Sequence, residues 1–220
     1  MSEFYKELYE ELYSKHGYHK DHKKEQTQYP FLFDACLNPA DIKYKSVLDI
    51  GCSTGLGIKY FFEPLGVECK GIDVSPTAVS KAIDLGVDAQ VACMTDIPFE
   101  DNSFELVCSA DVVEHLKPED QEQAHRECFR VSSKYVAHKI STKEEQYKFL
   151  EKKLHLTIWS HSYWIDFFKS LKLNGWKLIH TLTEDFWENI KEQIHASKRK
   201  KPTYKEIIKN RTVVLFEKIK

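Results

Sequence analysis

The chain has 220 residues, enough for one sizeable α/β domain. A formal charge of -2, with 30% charged and 42% hydrophobic residues, excludes a protein that coats nucleic acid by bulk positive charge. The six cysteines (Cys36, Cys52, Cys69, Cys93, Cys108 and Cys128) never form a C-x-x-C pair; this argues against a disulfide frame or a cysteine zinc site and points to small buried hydrophobes in a reducing compartment.

At the N-terminus, Glu3, Lys6, Glu7, Glu10 and Glu11 interrupt any apolar leader, and no stretch reaches the ~18 apolar residues of a membrane span. A soluble, cytoplasmic protein is expected. Phe4, Leu8 and Leu12 recur at helical spacing, so residues 3–15 should form an amphipathic helix. Residues 16–28 are polar and read as loop or frayed helix; a short helix is expected around Phe31–Leu37, before Pro39. A strict alternation follows. Ser46–Ile50 reads as a strand, Leu56–Leu65 as a helix and Glu68–Ile72 as a strand. Ser75-Pro76 opens a helix that runs to about Leu85 and stops at Gly86, with serine as cap and proline at the first position. Ala89–Cys93 and Phe104–Ser109 are short apolar runs suited to buried parallel strands. A helix over Pro118–Val131 leads to a fifth strand, Tyr135–Ile140.

Residues 141–160 break the rhythm and should form a cap after the fifth strand, where open α/β sheets bind ligands. A helix is expected over His161–Leu173, capped by His161 and ended by Asn174-Gly175. Two last strands, Trp176–Leu182 and Thr212–Glu217, would be joined by a helix near 184–195 and the basic run Lys198–Lys201. The β-α-β order implies a doubly wound, mostly parallel sheet of seven strands in one domain, Rossmann-like in plan. Within it, 1–45 would be an N-terminal helical cap, 46–140 a cofactor-binding core, and 141–220 a substrate cap with the final strands.

The richest stretch for chemistry is Val47-Leu48-Asp49-Ile50-Gly51-Cys52-Ser53-Thr54-Gly55. A glycine turn lets backbone approach a ligand, and Asp73, 22 residues after Gly51, stands where an acid can grip a ribose. Gly51-Cys52-Ser53-Thr54-Gly55 also fits G-x-S-x-G, the nucleophile elbow of hydrolases, but no His-Gly-Gly oxyanion run precedes it and Asp73 would go unexplained.

From Ser46 to Leu116 the chain resembles the class I S-adenosylmethionine-dependent methyltransferases of the type 11-like group. The resemblance is carried by Val47–Gly55, Gly71-Ile72-Asp73-Val74-Ser75, Thr95-Asp96-Ile97-Pro98-Phe99, Asp101–Val107 and Asp111-Val112-Val113-Glu114-His115-Leu116, in the family's order and spacing. Ser53 departs from the pattern, standing where a middle glycine is usual.

The resemblance implies S-adenosyl-L-methionine as cofactor and S-adenosyl-L-homocysteine as product. Gly51, Cys52, Ser53 and Gly55 would pass close to the methionine part, with Asp49 near its ammonium group. Asp73 would accept the ribose hydroxyls. Val74 and Ile97 would sandwich the adenine, Asp96 would accept from its amino group beside Thr95, and Ala110 and Asp111 would lie near the transferable methyl.

For the acceptor, the first expectation is O-methylation of a small or sugar-like molecule, which benefits from a general base. His155 is the first candidate and His115 the second. Trp159 and Tyr163 are the aromatic residues that could line an acceptor pocket. The Leu154–Trp164 segment is weakly similar to ones in methyltransferases of surface-polysaccharide and sugar pathways. Asp111-x-x-Glu114-His115 also has metal-ligand character and resembles the acid-x-x-Glu-His element of metal-dependent small-RNA 2′-O-methyltransferases, with His138 or His155 available to complete a set. Because the same residues occur in metal-free relatives, no metal is expected, and nucleic acid is the runner-up acceptor. His16, His19 and His22 read as a solvated face. A reading of another class is a cofactor-binding partner protein without transfer activity.

Overall fold

The computed structural model describes residues 3–16, 18, 37, 40–144, 153–181 and 211–219. The short helix expected at Phe31–Leu37, residues 145–152 of the cap, the helix near 184–195 and the run Lys198–Lys201 lie outside the described residues, apart from Leu37.

The elements in chain order are α1 (Glu3–Lys15), β1 (Ser46–Ile50), β2 (Glu68–Asp73), α2 (Pro76–Asp84), β3 (Ala89–Val91), β4 (Phe104–Ala110), α3 (Gln121–Val131), β5 (Ser132–Ser141), α4 (His161–Ser170), β6 (Trp176–Thr181) and β7 (Arg211–Lys218). The strands form one seven-stranded sheet in the order β3-β2-β1-β4-β5-β7-β6. Strands β1 to β5 pair in parallel; β7 is antiparallel to both β5 and β6. This is the doubly wound, mostly parallel sheet that the sequence implies. The strand order reverses between β1 and β4, and a ligand crevice opens at such a switch point, beyond the carboxyl ends of the strands.

The central strands are apolar on both faces because helices cover both. Successive side chains alternate across the sheet. Leu48, Ile50, Val107, Val136, Val214 and Phe216 face one core, with Cys128, Phe129, Trp164 and Phe168. Val47, Leu106, Ala137, Val213 and Leu215 face the other, with Ile58, Phe62, Val79 and Ala82.

Several local expectations need correction. The segment after β1 is not a regular α-helix over Leu56–Leu65. Residues 58–62 form a π-turn, in which the Glu63 N–H reaches back to the Ile58 carbonyl, and Glu63–Leu65 form a 3₁₀ turn closed by Gly66 at φ 71°. Pro64 has no N–H to continue an α ladder, which accounts for the change of pitch. The cap of α4 is Ser160, not His161: the Ser160 hydroxyl oxygen accepts from the Tyr163 N–H. That helix stops at Ser170, before Asn174-Gly175, because Leu171 turns into the core and Lys172 is left-handed at φ 47°. Elsewhere α2 starts as expected, with Ser75 Oγ accepting from the Ala78 N–H and Pro76 in the first turn.

Candidate cofactor and acceptor site

Two turns at the carboxyl edge of β1 and β2 build the first half of the site. The N–H groups of Gly51 and Cys52 both donate to the Ile72 carbonyl, so the chain leaving β1 folds tightly against β2. Gly51 sits at φ 69°, and a Cβ there would collide with a Val112 methyl. Ser53 takes φ 54°, a left-handed conformation that glycine adopts more readily, and its N–H donates to Asp73 Oδ2 at 3.0 Å. The other carboxylate oxygen, Oδ1, accepts from the Ser75 N–H at 3.0 Å. Asp73 is thus gripped between the two turns. Asp49 is fully buried in β1, in register with Gly71 and Cys108. Cys52 packs where a Gly71 side chain would stand, and burial pushes its thiol well above the usual range. Gly55, at φ 80°, faces Ala82 and Val87.

The loop after β3 flanks this turn. Ile97 is buried, Val74 packs partly buried against the same core, and Asp96 is exposed. Thr95 donates its hydroxyl to Cys93 Sγ. Sequence reasoning missed what fixes the loop. Glu127 accepts from the Ile97 N–H at 2.9 Å, and Arg130 donates to the carbonyls of Ile97 and Phe99 and to Asp101. An i, i+3 acid–arginine pair facing a turn is the signal that could have found it.

Beyond β4 lies a group of charges. Asp111, at φ 56°, meets Lys139 Nζ at 2.7 Å and Arg211 Nε at 3.3 Å. Burial alone would raise its carboxyl, but Lys139 and Arg211 outweigh burial and hold it below the usual range. Neither cation was singled out from sequence; they come from β5 and β7 and meet Asp111 only in the fold. Glu114 is fully buried: its Oε1 accepts from the Ser141 N–H at 2.9 Å, and its Oε2 has no partner. Burial first, then Asp111, push its carboxyl well above the usual range. The Glu114 carbonyl accepts from the N–H groups of Leu156 and Thr157, which ties the cap segment to the turn after β4.

That tie brings His155 to His115. Their ring centroids stand 4.7 Å apart, edge to face, and Tyr9 of α1 lies on the other side of His115. His115 Nδ1 lies 3.1 Å from the Leu154 carbonyl and His155 Nδ1 2.6 Å from the Lys143 carbonyl. A carbonyl only accepts, so both Nδ1 atoms carry the proton, and in the neutral form of either ring the lone pair lies on Nε2. Burial lowers the basicity of His155, which favours that neutral form. His138 is elsewhere, buried beside Ser109 and His125. Trp159 and Tyr163 have ring centroids 4.6 Å apart, with Tyr163 exposed and Trp159 partly buried.

Helix α1 spans both halves. Tyr13 donates to Ser53 Oγ at 2.7 Å; Glu10 accepts from the Ser75 hydroxyl and from the Thr77 N–H at the start of α2; Tyr5 donates to Asp120. Burial would raise the Glu10 carboxyl, but its Thr77 and Ser75 donors hold it below the usual range. Leu8 and Leu12 of the same helix pack with Leu154 of the cap.

Residues 48–135 match a family model described as a methyltransferase domain. The sheet order, the turn at Gly51 and the acid at the end of β2 agree with that match. Residues 48–135 thus carry a methyltransferase domain, on the fold of the class I, S-adenosylmethionine-dependent enzymes. The chain is 30% identical over 164 residues to the chloroplastic tocopherol O-methyltransferase of Arabidopsis thaliana, covering 60% of this chain and 46% of that one. It is 30% identical over 128 residues to norajmaline N-methyltransferase of Rauvolfia serpentina, covering 51% and 43%. The chain therefore spans under half the length of these curated relatives. The fold of plantazolicin methyltransferase BpumL, solved with S-adenosylhomocysteine, superposes with a TM-score of 0.68 at 14% identity, covering 99% of this chain and 96% of that one. This likeness concerns the fold.

The residues present fit the domain's cofactor. The turn at Gly51 leaves no room for a side chain, because Val112 fills that space, and the Asp73 carboxylate stands at the end of β2 beside it, with the Ser53 amide on one of its oxygens. Among the described residues no helix is long and apolar enough to cross a membrane.

Proposed function

We propose that the protein transfers the methyl group of S-adenosylmethionine to a hydroxyl of a small or sugar-like acceptor. The observation that carries this reading is the pair of imidazoles, His115 and His155, beyond the carboxyl end of β4 and in the segment tied to it, each with its Nδ1 proton on a backbone carbonyl. Bound S-adenosylmethionine supplies a methyl already activated on a sulfonium. In transfer, a bond from the acceptor oxygen to the methyl carbon forms as the carbon–sulfur bond breaks, and the electron pair returns to sulfur. An amine acceptor needs little more than alignment. A hydroxyl must also lose a proton, and a neutral ring nitrogen near the methyl can receive it.

Placement supports the remaining roles in this reading. Asp73 holds the ribose, with its carboxylate oriented by the Ser53 and Ser75 amides. Gly51, Cys52, Ser53 and Gly55 shape the wall for the methionine part, with Asp49 behind them. Val74 and Ile97 border the adenine, with Thr95 and Asp96 at its rim, and Ala110 and Asp111 flank the methyl. Trp159 and Tyr163 offer an aromatic face on which a sugar-like ring can rest.

Calorimetric titration with S-adenosylmethionine and S-adenosylhomocysteine tests the cofactor half; micromolar affinity, about 8 kcal/mol, is expected. A screen of hydroxyl and amine acceptors, with His155→Ala beside the parent, tests the other half. Hydroxyl methylation should fall at least tenfold in that variant while homocysteine-product binding is kept. Transfer to amines alone, unaffected by His155→Ala, would refute the hydroxyl reading.

A further inference from the structure

We infer that α1 is a strap across the cofactor crevice, latched by the Glu10 carboxylate on the first turn of α2. S-adenosylmethionine enters and S-adenosylhomocysteine leaves only when this latch opens. The strap belongs to the cofactor half and does not depend on the chemistry of the acceptor.

The latch is one carboxylate with three donors. Glu10 Oε2 accepts from the Ser75 hydroxyl at 2.7 Å and from the Thr77 N–H at 2.9 Å, and Oε1 accepts from the Thr77 hydroxyl. Ser75 caps α2 and Thr77 lies in its first turn, where N–H groups lack partners within the helix and the helix dipole favours an anion. The donors lie 65 and 67 positions along the chain from Glu10, so the contact is made by the fold and not by local sequence.

The latch also lies beside the acid that marks the cofactor. Ser75 gives its hydroxyl to Glu10 and its N–H to Asp73 Oδ1. One helical turn further along α1, Tyr13 donates to Ser53 Oγ, and the Ser53 N–H donates to the other oxygen of Asp73. Residues three apart on a helix share a face. One face of α1 therefore rests on both turns that grip Asp73. A ligand held on Asp73, with its methionine part towards Gly51, lies beneath that face.

The rest of α1 is held differently. Leu8 and Leu12 pack with Leu154, the Tyr9 ring meets His115, and the Tyr5 hydroxyl donates to Asp120 and accepts from the Lys117 N–H. Apolar contact is non-directional and tolerates small rotations, whereas hydrogen bonds weaken steeply with distance and angle. The leucine side thus acts as the hinge, and the Glu10 side is the part that lets go.

A latch has a kinetic signature. Entry and exit both need the open form, so the open fraction scales association and release together. A residue that only touches the ligand changes release and leaves association alone.

The test uses the full chain, with S-adenosylhomocysteine as the probe. Stopped-flow fluorescence reads association, and a chase of tritiated ligand with unlabelled ligand reads release. Glu10→Gln keeps the side-chain shape but loses the charge and one acceptor oxygen. Both rates should rise about tenfold, with affinity by calorimetry changed by less than about threefold. Thr77→Ala removes one donor from the opposite side and should move both rates the same way by less. It decides the matter if circular dichroism shows Glu10→Gln unfolded. Glu7→Gln, at an exposed position of the same helix, should leave both rates unchanged. Unchanged rates in the folded Glu10→Gln variant overturn the strap and keep the cofactor site. Faster release without faster association makes Glu10 a ligand contact and overturns the latch. No binding by the folded parent removes the cofactor assignment and the strap with it.

Discussion

The two halves of the site are assembled in opposite ways. On the cofactor side, Asp49, Gly51, Ser53 and Asp73 fall within 25 consecutive residues, and the bonds between them join neighbouring strand ends. On the acceptor side, Asp111, Glu114, His115, Lys139, His155 and Arg211 span 101 positions and meet only after the whole sheet has closed. The cofactor half is a local device, whereas the acceptor half depends on the integrity of the core beneath it. That core carries its own weakness, the buried imidazoles His125 and His138, packed edge to face with centroids 4.9 Å apart under Phe168.

Acid should separate the halves most strongly. Burial pulls His138 down to about 3 from an ordinary value of 6.5, and burial, then His138, pull His125 well below its ordinary value. Between those limits the unfolded chain binds protons that the folded chain refuses. Stability is therefore full above about pH 6.5 and falls as pH drops towards 3. For His138 alone the loss from pH 7 to pH 5 is about 2 kcal/mol, and His125 adds to it. Denaturant unfolding at pH 7, 6 and 5 reads the slope, and His138→Gln, which keeps a partner for Ser109, should flatten it. A slope unchanged by the substitution would mean that the acceptor-side core is no more acid-sensitive than the rest.

A smaller effect is expected from Asp73→Ala on the cofactor side. It removes a charged acceptor and leaves the Ser53 and Ser75 amides without it. Affinity for S-adenosylhomocysteine should fall by about 1–3 kcal/mol, roughly five- to 150-fold, as read by calorimetry. Unchanged affinity in the folded variant would remove Asp73 from the cofactor half.

The same contrast governs what the sequence discloses. The succession of strands and helices along the chain, the cap at Ser75-Pro76 and the glycine turn at Gly51 were legible because each depends on near neighbours and on a period of two or of 3.6 residues. The π-turn at 58–62 was not, because proline signals a break without specifying its pitch. The true end of α4 escaped because Leu171 follows the core and not the glycine signal downstream. His115 and His155 were both singled out, and the fold brings them side by side. What no local pattern could show is that Lys139 and Arg211 take Asp111, since the antiparallel pairing of β5 with β7 sets Ser141 opposite Arg211 across 70 residues. Helix α1 was expected over the acceptor; it also reaches the cofactor turn through Tyr13 and Glu10.

That double reach sets the finest test. Ser53 bears a left-handed φ of 54°, which costs a non-glycine residue roughly 1–2 kcal/mol, and its hydroxyl oxygen accepts from Tyr13. Ser53→Gly relieves the strain, adds freedom to the unfolded chain and loses the hydrogen bond, so the single change should be nearly neutral. Tyr13→Phe loses the bond alone and should cost about 1 kcal/mol. In the Tyr13→Phe background, however, Ser53→Gly no longer loses this bond and should be more favourable by about 1 kcal/mol. A double-mutant cycle by denaturant unfolding measures this coupling directly. Zero coupling would mean that Tyr13 does not reach the cofactor turn in solution, and α1 would then meet that half through Glu10 at the start of α2 alone, with Tyr9, Leu8 and Leu12 on the acceptor half.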